Sequence, residues 1–168
     1  TCGRTVSAER GGAHGRADTI RPYLWFDDRA REAMEYYVSV FPNSSIGDVV
    51  LYPDESLSEH FEGMTGNVLN GEFTLNGVPF GCIDGGPAFR FNEAISFVIA
   101  CEDQAEIDHY WAALSAVPDA EACGWCKDRF GVSWQVVPAG LDLLQQSSEQ
   151  IQALMQMKKI VIAELENA

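Results

Sequence analysis

Residues 94–114 read AISFVIACEDQAEIDHYWAAL, and the order of features in this stretch decides the fold. Residues 94–101, apolar except for Ser96, read as a buried strand. Asp103 and Glu106 follow with capping-box spacing, which satisfies orphan N–H groups at a helix start. Ile107, Tyr110, Trp111 and Leu114 then recur at helical spacing as one apolar stripe. Each feature has an earlier counterpart: Leu24 for Ile99 in a strand over residues 20–26, Asp28 for Asp103 as a helix cap, and Tyr36 for Trp111 on a helix. The separations 99 − 24, 103 − 28 and 111 − 36 are all 75, which is an internal repeat.

Further strands follow in each half. Pro22 suits an edge position in the first strand. Ala30, Ala33, Met34, Tyr37, Val38 and Phe41 form a helical stripe that Pro42-Asn43 ends. Residues 45–52 read as a strand. Residues 67–75 and 78–84 flank Asn76-Gly77, a hairpin signal because type I′ turns need positive φ. Residues 123–127 and 132–137 flank a second tight turn at 128–131. Gly131 follows Gly77 by 131 − 77 = 54, and the shortfall of 75 − 54 = 21 is near the length of the polar stretch 53–66 plus slack. The expectation is an α+β fold. Two βαβββ modules, about residues 19–88 and 89–140, form a curled mixed sheet around a concavity. They make one domain over residues 19–168 with a helical tail at 141–168, capped by Ser147 or Ser148. Residues 1–18 read as a flexible leader, or as a segment partly of non-native origin.

The chain has 168 residues, with 25 Asp+Glu against 11 Lys+Arg, a net charge of −14. That balance disfavours nucleic acid and anionic membrane surfaces, both of which need a basic face. With 46% hydrophobic residues the chain can bury a core. No apolar run approaches the roughly 18 residues of a membrane-spanning helix. The leader lacks the apolar stretch of a signal peptide, so a cytoplasmic protein is expected. The five cysteines, Cys2, Cys82, Cys101, Cys123 and Cys126, are a poor disulfide framework at this length. Cys82 and Cys101 read as small core residues. Cys123 and Cys126 on an extended segment point to opposite faces, about 10 Å apart at ~3.3 Å per residue, beyond disulfide reach.

The quoted residues support a closer match. Leu24-Trp25-Phe26-Asp27, Tyr36-Tyr37, Phe41-Pro42 and Gly85-Gly86-Pro87 are followed by residues 91–97 (FNEAISF), Cys123-Gly124-Trp125, Lys127-Asp128, residues 131–138 (GVSWQVVP) and residues 155–160 (MQMKKI). Together they resemble the PhnB-like family of the vicinal-oxygen-chelate superfamily, which includes glyoxalases, bleomycin-resistance proteins and dioxygenases. The family is often labelled a 3-demethylubiquinone-9 3-methyltransferase domain. The resemblance covers residues from about 19 to the C-terminus. It implies the paired-module fold and a homodimer.

Many superfamily enzymes bind a divalent metal through inward His, Glu or Gln. The positions that the resemblance marks are Thr19 or Arg21, Gly81, Ala94 or Ser96, and Gln135. Only Gln135 is a suitable ligand, and a catalytic metal needs about three. His14, His60 and His109 fall elsewhere, so no metal site and no cofactor is expected. A methyl-donor site would call for a glycine-rich loop opening a helix, whereas Gly85-Gly86-Pro87 leads into an extended connector.

Strand alternation sets Ser133, Gln135 and Val137 on one face, Ser96 with Val98, Tyr23 with Trp25, and Trp125 with Lys127. An aromatic pocket between the curled sheets, with polar anchors at Gln135 and Ser96, suits a small, partly apolar ligand. The ligand-binding candidates are therefore Tyr23, Trp25, Ser96, Trp125 and Gln135. The tryptophans read equally as core. Glu93 and Asp84 are the acid/base candidates, with turn-forming Asp84 and an Asn92-pinned crossover as the structural alternatives. The expected function is metal-free small-molecule binding by a homodimer. The alternatives are a metal-assisted or acid/base enzyme of the superfamily, or the methyltransferase of the label.

Overall fold

The structure is a computed structural model, and it describes residues 20–54, 59, 62–142 and 145–168. The expected leader lies outside the described residues. The first half runs β1 (Tyr23–Phe26), α1 (Ala30–Val40), β2 (Ser45–Leu51), β3 (Val68–Leu75) and β4 (Val78–Asp84). The second runs β5 (Phe97–Cys101), α2 (Gln104–Leu114), β6 (Trp125–Lys127) and β7 (Ser133–Pro138). The helices α3 (Ser148–Gln156) and α4 (Ile162–Glu166) follow. Strand β1 starts later than expected because Pro22 has no N–H for the ladder, although its carbonyl accepts from Gly81 N–H at 2.9 Å.

The expected curled sheet around a concavity does not form. The strands make two separate open sheets, ordered β1-β4-β3-β2 and β5-β7-β6. The second half is βαββ among the described residues. Between α2 and β6 the chain forms only a 3₁₀ turn, Pro118–Ala120. Aromatic rings fill part of the space between the two halves, and a cavity of about 550 Å³ lined by Val78, Phe80, Phe97, Val98 and Trp134 lies beside them. Tyr37 and Phe41 of the first half pack against Trp134 of β7 with ring centroids 5.5 and 5.3 Å apart, and Phe80 meets Phe97 at 5.2 Å. Residues of both halves share one core that such rings fill.

The repeat survives in the strand register. Tyr23 lies opposite Gly81 and Val98 opposite Gln135, both in parallel pairs. The offsets 98 − 23 = 75 and 135 − 81 = 54 match those in the sequence. The caps follow the repeat less closely. Asp103 accepts from Glu106 N–H at 2.9 Å, as expected. Asp28 does not cap α1; Arg29 holds that position, and the Ala30 N–H donates to Asp84 Oδ1 at 2.8 Å.

The tail is two helices rather than one, joined by an extended segment with a task. The carbonyls of Met157 and Lys158 accept from Cys123 and Gly124 N–H, both at 2.8 Å. Gln104 clamps the same segment: its Nε2 donates to Ile160 O at 3.1 Å and its Oε1 accepts from Ile162 N–H at 2.9 Å. Ser147 caps α3 in a capping box with Gln150. No helix among the described residues is long and apolar enough to cross a membrane.

Candidate functional site

Each sheet has a face toward the helices and a face away from them. On the helix side lie Leu24, Phe26, Phe73 and Cys82, where a Cβ on Gly71 would meet Met34 of α1 at 2.9 Å. Tyr23 and Trp25 therefore project from the other, outer face of the first sheet. Two glycines make room for them. A Cβ on Gly81 would lie 2.4 Å from the Tyr23 ring, and one on Gly85 would lie 2.2 Å from the Trp25 indole. Tyr23 donates its hydroxyl to Asn70 Oδ1 at 2.9 Å, and desolvation by burial, with Cys82 beneath, raises its pKa. Trp25 donates Nε1–H to Gly86 O at 2.9 Å. The Gly85-Gly86 pair thus cradles an indole, and the chain beyond it turns at residues 87–88 without opening a helix. It does not fit a nucleoside-type methyl donor.

The other three ligand candidates share the outer face of the second sheet. Trp125 lies opposite Gln135 in the β6–β7 ladder, and Gln135 Nε2 donates to Ser96 Oγ at 2.9 Å. Ser133 sits two residues from Gln135 on the same face. Its hydroxyl is buried with no hydrogen-bond partner among the described residues, a costly state for a polar group. Alternation in the sequence already set Ser133 beside Gln135; the missing partner is legible only in three dimensions. The two groups of candidates lie on different sheets.

Glu93 forms an ion pair with Lys127 at the margin of this face. The hydrogen bond from Lys127 holds the Glu93 carboxyl below the usual range, which keeps it ionised at neutral pH and makes it a poor proton donor. Asp84 lies on the helix side, 2% exposed. Burial raises its pKa, while Ala30 and Val68 N–H groups, each at 2.8 Å, oppose that shift. Asn92 accepts from Ala94 N–H at 2.9 Å and pins the connector between the sheets.

The metal positions implied by the resemblance carry few donors. Gly81 lies under the Tyr23 ring, Arg21 pairs with Glu72 at 3.1 Å, and Ser96 is bonded to Gln135. Thr19 lies outside the described residues. Among the described residues no three His, Cys, Asp or Glu gather as a metal site. This donor set does not fit a divalent ion.

The four described cysteines, Cys82, Cys101, Cys123 and Cys126, are free, but the geometry around Cys123 differs from the expected strand. Cys123 and Gly124 have φ of 51° and 85° and form a tight turn closed by the Ala122–Trp125 bridge, because the strand starts only at Trp125. Cys126 is buried on the helix side.

Comparison with known proteins places this architecture. Residues 18–137 match the family model described as 3-demethylubiquinone-9 3-methyltransferase. A PhnB protein of Bacillus cereus is 33% identical, with a TM-score of 0.61, over 73% of this chain and 100% of its own. A Pseudomonas aeruginosa protein at 22% identity and TM-score 0.54 covers 71% of this chain and 96% of its own, and shares the fold. No curated protein matches the chain.

Proposed function

The chain belongs to the PhnB-like family of the vicinal-oxygen-chelate superfamily, and on that premise we propose that it is a small-molecule-binding protein of the cytoplasm that works without metal or cofactor. Its ligand surface is the outer face of the second sheet, with Trp125 as the apolar wall and Gln135 and Ser96 as polar anchors. The observation that carries this reading is the Ser96–Gln135 hydrogen bond on a part-buried face, beside a Ser133 hydroxyl that lacks a partner. A ligand with an apolar body and one donor–acceptor group suits such a surface. Tyr23 and Trp25 form the matching aromatic face of the first sheet. Residues 19–168 act as one domain in this reading.

A homodimer completes the proposal. Tyr23, Val50 and Val98 leave apolar surface on the outer faces at 49%, 51% and 60% exposure. Exposed apolar patches favour an interface. A second copy, set with its first sheet over this second sheet, would bring the two groups of candidates together. Saturation-transfer NMR with indole as probe tests the ligand surface. Indole signals should be saturated by the wild type and much less by Gln135→Leu or Trp125→Ala. Equal saturation by all three proteins would remove the proposal.

A further inference from the structure

A cavity lies where the ends of β1 and α1 meet the 85–96 connector and the 128–131 turn, away from the Gln135 face. Its volume is about 250 Å³, and Trp25, Phe26, Phe89, Phe91 and Phe130 supply its aromatic walls. The rings are set edge to face: Trp25 with Phe89 at 4.9 Å, Phe26 with Phe91 at 5.3 Å and with Phe130 at 6.1 Å. That is room for one flat ring, held by the edge-on contacts that aromatics favour.

Three arginines, Arg29, Arg90 and Arg129, also line the cavity, against a single lining carboxylate, Asp27. The whole chain carries only 11 Lys+Arg in a net charge of −14, so this concentration is unusual for the molecule. Their states differ. Arg29 is paired with Glu32 at 2.8 Å and lies 4.6 Å over the Phe130 ring. Arg129 lies 3.8 Å over the Tyr36 ring and 5.1 Å from that of Phe130, and makes no ion pair among the described residues. Arg90 makes neither an ion pair nor a ring contact among them. With Arg29 already paired, Arg90 and Arg129 leave a surplus of one positive charge over Asp27.

We propose that this cavity binds a planar aromatic monocarboxylate, its ring between Trp25, Phe89 and Phe130 and its carboxylate on Arg90 and Arg129. Guanidinium groups fit a carboxylate with two parallel hydrogen bonds, and the surplus of one charge matches a monoanion better than a phosphate dianion. The site shares only Trp25 with the surfaces proposed above and stands independently of them.

Benzoate is the probe, followed by calorimetry at low salt on the full chain, with Arg90→Gln and Arg129→Gln variants. Arg90 is exposed and unpaired, so its replacement leaves the fold intact, which a thermal melt confirms. Saturable one-to-one binding is expected. It should weaken about tenfold in each variant, the scale of one charge-assisted contact, and weaken further with salt. Benzyl alcohol should bind far more weakly, and inorganic phosphate should not compete. Absence of saturable benzoate binding, unchanged affinity in both variants, or equal competition by benzyl alcohol or phosphate would each overturn the assignment. None of these results bears on the indole experiment at Gln135, so the two proposals fail separately.

Discussion

Asp128 joins the two halves through a single side chain. It is 1% exposed, yet its carboxylate accepts from Tyr37 Oη at 2.6 Å, Trp134 Nε1 at 2.8 Å, and the N–H groups of Phe130 and Val132 at 2.8 and 3.0 Å. Asp128→Ala would leave buried donors unsatisfied, and chemical denaturation should show a loss of about 3 kcal/mol or more. Desolvation, followed by Asp128 itself, pushes the Tyr37 hydroxyl well above its usual pKa. Burial pushes Cys82 and Cys126 to about 12 and Cys101 to about 11. All four groups have folded-state pKa values above their unfolded ones. Their contribution to stability is present in full below the unfolded values, near 9 for the thiols and 10 for the phenol, and is lost as pH rises through the folded values. Denaturation curves should therefore show stability falling from about pH 9 upward. In native protein at pH 8, alkylation followed by peptide mass spectrometry should leave these three cysteines unmodified. Rapid labelling of Cys126 in folded protein would contradict its placement.

At the scale of elements, much of the order was readable because it depends on local patterns. The Asp103 cap, the Asn76-Gly77 hairpin and the Ser147 cap are each set by a few neighbouring residues. Several of the misreadings involve partners distant in sequence. Asp28 had the right residue type for a cap, but the α1 N–H goes to Asp84, 54 positions beyond Ala30. Gly81 and Gly85 gave no local sign that neighbouring aromatic rings need their space. The curl of the sheet rests on the repeat, and a repeat does not report a missing strand or whether two sheets join. Of the site, alternation correctly grouped Gln135 with Ser133. The Ser96 bond depends on the pairing of β5 with β7, 39 positions apart, which no local spacing reveals. The tail makes this point testable. Gln104→Ala removes both of its bonds to the segment around Ile160, and should cost about 1–2 kcal/mol and raise hydrogen exchange at Ile162. Unchanged exchange there would show that Ile160 packing and the Cys123 and Gly124 N–H bonds hold the tail without Gln104.

Across the whole molecule, two open sheets share one core and turn their other faces outward, and the proposed function depends on those faces. A homodimer of acidic chains must overcome like-charge repulsion, so its interface should be apolar at the centre and gain stability with salt. Light scattering at micromolar protein and moderate salt should give about twice the 18.5 kDa chain mass, and Val98→Glu should shift it toward one chain. A monomer under all those conditions would remove the second copy from the account. The central claim is that the outer face around Gln135 holds a small ligand. Its most direct test is an ¹⁵N NMR titration with indole that follows the Gln135 side-chain amide and the Trp125 indole N–H. The account predicts that both signals shift together and saturate, while the Trp134 indole N–H, bonded to Asp128 in the core, stays in place. Signals of Gln135 and Trp125 that do not move while indole binds elsewhere would contradict it.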